Sequence, residues 1–187
     1  MGKYTIRVSV IVIILLLTPL STMLQSLNAE EPESVMFAHD NASHKIIKIN
    51  TETGEATVVG PTGFASGKSG LATARTPVPG PEGALFPEGT SFGLLEDQSL
   101  GRDFVVVVDV TTGLATKVVE ATQIIGGRGV AFGPDGATLY VIENSGVRNR
   151  FLSTIDIVTG SVSPVGNTGF SATKSLSQNH ILAPVVL

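Results

Sequence analysis

Val106-Val107-Val108-Asp109-Val110-Thr111-Thr112-Gly113, followed directly by Leu114-Ala115-Thr116-Lys117-Val118-Val119, is the stretch that decides the fold. A run of β-branched residues is followed by an Asp-x-x-Thr-Gly turn, and the turn by a second β-rich run. The Asp side chain can accept a hydrogen bond from a backbone N–H two residues on, and Gly supplies a positive φ, so the stretch reads as a hairpin. The same order occurs twice more. One copy is Ile47-Lys48-Ile49-Asn50-Thr51-Glu52-Thr53-Gly54 with Glu55-Ala56-Thr57-Val58-Val59. The other is Ser153-Thr154-Ile155-Asp156-Ile157-Val158-Thr159-Gly160 with Ser161-Val162-Ser163-Pro164-Val165. The three turn glycines stand 59 and 47 residues apart. That spacing is near the ~40–45 residues of a four-stranded repeat unit.

A second pattern interleaves with the first. Gly129-Val130-Ala131-Phe132, Gly133-Pro134-Asp135-Gly136 and Thr138-Leu139-Tyr140-Val141-Ile142 read as strand, tight turn and strand. A degraded copy begins at Gly70-Leu71-Ala72 and, after a Pro-rich insert, resumes at Pro81-Glu82-Gly83-Ala84-Leu85-Phe86. A third landmark, Gly60-Pro61-Thr62-Gly63-Phe64, is echoed by Gly166-Asn167-Thr168-Gly169-Phe170, and Lys68-Ser69 is answered by Lys174-Ser175. Four strands per unit thus recur in one order, and no segment after residue 30 sustains a 3.6-residue apolar period. The expectation is an all-β chain of four-stranded antiparallel units.

Residues 124–170 resemble the YVTN-type β-propeller repeat. Gly129-Val130-Ala131-Phe132-Gly133-Pro134-Asp135-Gly136, Leu139-Tyr140-Val141-Ile142-Glu143-Asn144 and Thr154-Ile155-Asp156-Ile157-Val158-Thr159-Gly160 carry the resemblance, which is looser over 35–120. It implies propeller blades in an exported bacterial or archaeal protein, and it says little of function, because propellers host many. Val35-Met36-Phe37-Ala38 answers Leu139-Tyr140-Val141-Ile142, and Ser175–Leu187 stands where a Gly-Val-Ala-Phe strand is due. The units then sum to an incomplete ring of about three blades, against the four to eight typical of closed propellers. Either the chain is a fragment, or copies assemble, or the strands form a distorted small sheet fold. Open blade edges at Val35–Ala38 and at apolar Ile181–Leu187, where Pro184 lacks a donor, are expected to drive self-association.

The N-terminal residues stand apart. Lys3 and Arg7 precede an apolar run, Val8 to Leu17, and a polar stretch leads to Leu27-Asn28-Ala29. This is the order of a secretory signal peptide, shorter in its apolar part than the ~20 residues of a spanning helix. The expectation is a signal peptide over 1–29, a repeat domain over 30–187, and a secreted, cell-surface or periplasmic protein with no membrane contact beyond the signal. Removing 1–29 would lower the basic count from 12 to 10 against 16 acidic residues, a formal charge of −6 in place of −4. No Lys/Arg stripe follows, so nucleic-acid binding is not expected. With no Cys, neither disulfides nor thiolate metal sites can form.

No catalytic, cofactor-binding or metal-binding residue is assigned. His39, His44 and His180 have no i, i+4 partner; His39-Asp40-Asn41 reads as a solvated loop after the first strand. Asn50, Asp109, Asp156 and Asp135 recur because turns require them. In propeller lactonases of the gluconolactonase and regucalcin type, an Asn before such a Gly ligates the catalytic metal; here that position is Arg128, whose guanidinium cannot ligate a cation. Arg128, Arg148 and Arg150 are read as solvated charges, and Asn41-Ala42-Ser43 as a glycosylation sequon of use only in a host that glycosylates. The insert from Thr76 to Gly89, with Pro77, Pro79, Pro81 and Pro87, is the expected contact loop. The functional expectation is a non-catalytic scaffold for a protein or glycan partner; the alternative is a fragment of a larger propeller enzyme, lactonase-like or cofactor-dependent, whose active-site blades lie elsewhere.

Overall fold

Asn50, Asp109 and Asp156 each close a hairpin in the same way. In the computed structural model, which describes residues 34–65, 69–122, 124, 129–143 and 151–170, the amide of Gly54 donates to the Asn50 carbonyl at 2.8 Å, that of Gly113 to Asp109 at 2.7 Å, and that of Gly160 to Asp156 at 2.7 Å. The side chains hold the turn from within. Asn50 Oδ1 accepts from the Glu52 amide at 2.8 Å, Asp109 Oδ1 from Thr111 at 2.8 Å, and Asp156 Oδ1 from Val158 at 2.8 Å. The three glycines have φ of 74°, 83° and 74°, which a side chain resists. The expected turn chemistry is therefore present at all three places.

These turns join strands into antiparallel sheets. Sheet 1 is β1 (Val35–Asp40), β2 (Lys45–Asn50) and β3 (Ala56–Pro61). Sheet 2 is β4 (Ser69–Thr73), β7 (Ser91–Asp97), β8 (Arg102–Val108) and β9 (Ala115–Glu120), with a small hairpin of β5 (Val78–Pro79) and β6 (Leu85–Phe86) between its first two strands. Sheet 3 is β10 (Gly129–Phe132), β11 (Leu139–Glu143), β12 (Phe151–Ile155) and β13 (Val162–Asn167). Among the described residues there is no α-helix; a single 3-10 turn spans Pro81–Gly83. The all-β reading holds, and so does the four-stranded antiparallel order in sheets 2 and 3.

The repeat extends to the ladder defects. Between the last two strands of each sheet one valine on the outer strand is passed over: Val59 between Gly60 and Val58, Val118 between Val119 and Lys117, Val165 between Gly166 and Pro164. Such a bulge bends the strand and raises its twist. Its recurrence at one position shows that the three sheets are copies of one unit, aligned residue for residue there.

Alternation along the central strands assigns each sheet two faces. On sheet 2, Leu95, Phe104, Val106 and Val108 pack against Ile46, Phe37 and Val59 of sheet 1. The opposite face, with Phe92, Leu94 and Val105, packs against Leu139, Val141 and Ile155 of sheet 3. Sheet 2 thus has a front face, toward sheet 3, and a back face, toward sheet 1; the corresponding sides of the other two sheets are named alike. The first strands of sheets 2 and 3 approach backbone to backbone: a Cβ at Gly70 would stand 2.8 Å from the Val130 amide nitrogen. Outer strands hand on to the next sheet through hydrogen bonds, Ala115 N–H to the Thr62 carbonyl at 3.0 Å and Thr122 N–H to Gly160 at 2.9 Å.

Two sequence readings need correction. Ala84-Leu85-Phe86 is not the second strand of sheet 2; that place belongs to Ser91–Asp97, an apolar run able to be buried on both faces, and Leu85-Phe86 closes the insert hairpin instead. His39 is not in a loop: β1 runs on to Asp40, and His39 pairs with Ile46. The signal segment 1–29, Lys68, Arg128, Asn144, Arg148, Arg150 and the whole stretch 171–187, with Lys174-Ser175, His180 and Ile181–Leu187, lie outside the described residues.

Candidate functional site

The Pro-rich insert is built rather than loose. The Gly80 amide donates to the Ala84 carbonyl at 2.8 Å, and that of Ala84 to Pro81 at 2.9 Å, closing the hairpin around the 3-10 turn. Val78 on β5 is 2% exposed and belongs to the core between sheets 2 and 3. Phe86 on β6 meets Phe92 edge to face at 5.2 Å between centroids, and Phe92 meets Phe132 in the same manner at 5.5 Å. This aromatic chain ties the insert through sheet 2 to sheet 3. Aromatic pairs of this geometry contribute about 0.5–1.5 kcal/mol each beyond the area they bury.

So anchored, the insert forms one wall of a groove of about 320 Å³. Val78 and Pro79 face the end of sheet 3: Ala137 and Thr138 beyond the β10–β11 turn, Thr154 and Ile155 of β12, and Asp156, Ile157 and Val158 of the Asp-x-x-Thr-Gly turn. The sequence reasons for these walls are separate. Pro79 is tolerated because a two-residue strand asks little of its missing donor, and Val158 stands out at 42% exposure because turn geometry aims it outward.

The polar side chains lining the groove are engaged within sheet 3, that of Thr154 by the Ser163 carbonyl across the ladder and the others in turns. Asp156 accepts from the amides of Val158 and Thr159 at 2.8 and 3.2 Å. Thr138 donates its hydroxyl to Asp135, which lowers the Asp135 pKa from its ordinary value. Among the described residues no nucleophile–base pair borders the groove. Compared with known proteins, the chain matches no family model and no curated protein. The groove is accordingly read from its own lining: apolar walls, two threonines, one turn-bound carboxylate and no aromatic ring.

A second cluster sits between sheets 1 and 2. Lys117 Nζ lies 4.0 Å from the Phe104 ring centroid and 5.5 Å from that of Phe64, and donates to Asp97 Oδ2 at 2.9 Å. Asp97 also accepts from the Ser99 hydroxyl at 2.6 Å. The Ser99 bond first, and Lys117 second, bring its pKa down to about 2. The lysine here clips sheet 1's exit segment to sheet 2, a structural role worth roughly 0.5–1 kcal/mol for an exposed cation–π contact.

The remaining candidates do not converge. His39 donates its Nδ1–H to Asn41 Oδ1 at 2.9 Å, and burial is the main cause holding its pKa below the ordinary value. Its place on the front face of β1 corresponds to Leu94 and Ile142 in the other sheets. His44 takes φ 56° at the end of the β1–β2 turn, where the matching β7–β8 turn has Gly101 at 63°. Asp109 is drawn down to about 2, chiefly by the Thr111 hydroxyl, and Asp40 is lowered mainly by that of Ser43; both carboxylates serve their own turns. Among the described residues no group of three or more His, Asp or Glu side chains is gathered as a metal site requires, and no helix is long and apolar enough to cross a membrane. Sequence reasoning missed the groove and the Lys117 cluster. The insert's prolines pointed to the first, and nothing in the spacing of Phe64, Asp97, Phe104 and Lys117 points to the second.

Proposed function

We propose that the chain is an exported, non-catalytic binding scaffold of the β-propeller type, in which the groove under the Pro-rich insert receives an extended, largely apolar segment of a protein partner. The observation that carries the reading is the groove's lining: its walls are apolar and its polar side chains are engaged by turns and by the β12–β13 ladder. Such a surface binds by complementarity and offers a substrate no group to react with. The lack of an aromatic platform favours protein over glycan among the two partner classes. Support for propeller blades comes from three copies of one unit stacked front to back, with first strands β4 and β10 side by side at Gly70. Export rests on the order of residues 1–29.

The test is site-directed photocrosslinking on intact cells. A benzophenone side chain at Val158, in the groove, is expected to yield one discrete crosslinked protein; the same group at exposed Leu100, in the β7–β8 turn, is not. The mature chain is expected to begin at Glu30. Equal crosslinking at both positions, or a chain retained inside the cell with its first 29 residues intact, overturns the proposal.

A further inference from the structure

The side chains of the groove under the insert have spent their donors and kept acceptors. Thr138 donates its hydroxyl to Asp135, and Thr154 donates its own to the Ser163 carbonyl. A hydroxyl carries one proton, so both threonines have only lone pairs left to offer. The amides of Ala137 and Thr138 go to Asp135, and that of Val158 to Asp156. The insert adds an edge of the same kind. The Gly80 amide bonds the Ala84 carbonyl across the hairpin, and the two sides of a strand alternate, so Pro79 turns its backbone away from β6. Proline has no N–H, and that edge of β5 presents a carbonyl without a donor beside it.

Asp156 is the acceptor with capacity to spare. In sheet 2 the corresponding Asp109 is clamped by two hydroxyls, Thr111 on Oδ1 at 2.7 Å and Thr112 on Oδ2 at 2.9 Å. In sheet 3 Val158 stands where Thr111 stands, and the Thr159 hydroxyl accepts from the Ser161 amide at 3.2 Å. Asp156 receives the amides of Val158 and Thr159 on Oδ1, and among the described residues its Oδ2 receives nothing. Charge points the same way. The three segments that make the groove, 74–90, 133–138 and 154–161, carry Glu82, Glu88, Asp135 and Asp156 against Arg75, and no described basic side chain lines it.

We infer that the groove takes a long basic side chain of the partner's segment, an arginine or a lysine, with its stem on Val78, Ile157 and Val158 and its cationic head donating to Asp156. A guanidinium or an ammonium has donors and no acceptor, which is the complement of this lining. Such side chains lay their hydrocarbon stems on apolar surface and keep the head at its polar edge. The inference rests on the scaffold reading and names the anchor of the segment that the groove receives.

The experiment is an amide chemical-shift titration of the purified chain with two blocked pentapeptides, one with arginine between pairs of valines and one with methionine in its place. Asp156→Asn removes the charge and keeps the cap, as Asn50 shows at the same turn of sheet 1. Asp109→Asn makes the same change outside the groove. The expected result is saturable shifts at Ala137, Thr138 and Val158, with the arginine peptide about tenfold tighter than the methionine peptide. High salt should erase that advantage. Asp156→Asn should lose it, and Asp109→Asn should keep it. Arginine and methionine peptides that bind alike, or that both fail to bind, overturn the inference. So does an Asp156→Asn chain that still prefers arginine, and so does an equal loss in Asp109→Asn. If Asp156→Asn fails to fold, Val158→Thr decides: it returns to the carboxylate the hydroxyl that Thr111 supplies in sheet 2, and it should lower the preference for arginine. A discrete crosslink at Val158 on cells, beside peptides that bind alike, leaves the scaffold reading standing without its basic anchor. A groove that crosslinks nothing overturns both.

Discussion

Replacing the glycine of each Asp-x-x-Thr-Gly turn by alanine separates what the turn needs from what the stacking of sheets needs. Gly54, Gly113 and Gly160 share one backbone conformation, φ 74°, 83° and 74°. Alanine there meets the left-handed penalty of about 1–2 kcal/mol, offset by roughly 0.4–1 kcal/mol from a stiffer unfolded chain, for a net cost near 1 kcal/mol. At Gly54 nothing lies within 4 Å of the new Cβ, so the cost stops there. At Gly113 the Cβ would overlap the carbonyl oxygen of Gly60 in sheet 1, and at Gly160 that of Glu120 in sheet 2. Backbone cannot yield cheaply, so the turn must move. Moving it at Gly160 breaks the Thr122 amide bond to the Gly160 carbonyl at 2.9 Å. That bond is worth about 1 kcal/mol, and displaced packing adds a further ~1–2 kcal/mol. The expected losses are about 1 kcal/mol for Gly54→Ala and about 3 kcal/mol for Gly113→Ala and Gly160→Ala. Urea unfolding followed by far-UV circular dichroism reads them. With m near ~2 kcal/mol/M, midpoints fall by about 0.5 M and about 1.5 M. Equal shifts for all three glycines would refute the claim that these turns serve as inter-sheet contacts.

The carboxyls of Asp97 and Asp109 lie at about 2, below their ordinary 3.8, so their stabilising contribution is complete above about pH 5 and is lost as pH falls toward 2. Urea midpoints should hold level from neutral pH to about 5 and then decline, and Asp109→Asn, which keeps the cap that Asn50 already makes, should decline less; a midpoint that rises between pH 4 and 2 contradicts this. Phe92→Ala, at a 0%-exposed site between Phe86 and Phe132, should cost about 3–5 kcal/mol. Amide exchange at Gly80 and Ala84 should quicken more than global unfolding explains, and unchanged protection there would mean that the insert does not hang on the aromatic chain.

What the sequence made legible was local. Asn50, Asp109 and Asp156 fix their turns through bonds spanning two or three residues, so Thr-Gly after each was enough to place three hairpins. Pro134-Asp135-Gly136 placed a fourth for the same reason. Ser91–Asp97 escaped because its burial comes from sheets on both sides, which erases the alternation that marks a half-buried strand. The β7–β8 turn escaped too, although Asp97 caps Ser99 at 3.1 Å and Gly101 closes on the Asp97 carbonyl at 2.8 Å; its Gln98-Ser99-Leu100 interior lacks the Thr-Gly signature. His39 looked like a loop residue because polarity at a core position reads as exposure. The insert's prolines marked one wall of the groove but not the other: Val78 and Val158 lie 80 residues apart, and only the stacking of sheet 3 on sheet 2 brings them to one cleft.

The distribution of polar side chains then says where function can sit on this scaffold. In the repeat proper, carboxylates and hydroxyls are consumed by turns: Asp109 by Thr111 and Thr112, Asp156 by Val158 and Thr159, Asp97 by Ser99 and Lys117. Removing any of them unsettles a hairpin before it could affect a ligand. Positions common to all three sheets are therefore structural, and recognition must come from what one sheet has and the others lack. Two features meet that test. The insert between β4 and β7 has no counterpart between β10 and β11, where a Pro-Asp-Gly turn suffices. The back face of sheet 1 has no preceding sheet among the described residues to cover it. The first forms one wall of the cleft, and the second leaves Met36 61% exposed. The two are distinguishable, because a charge at Val158 changes the cleft and leaves Met36 untouched, while a charge at Met36 does the reverse.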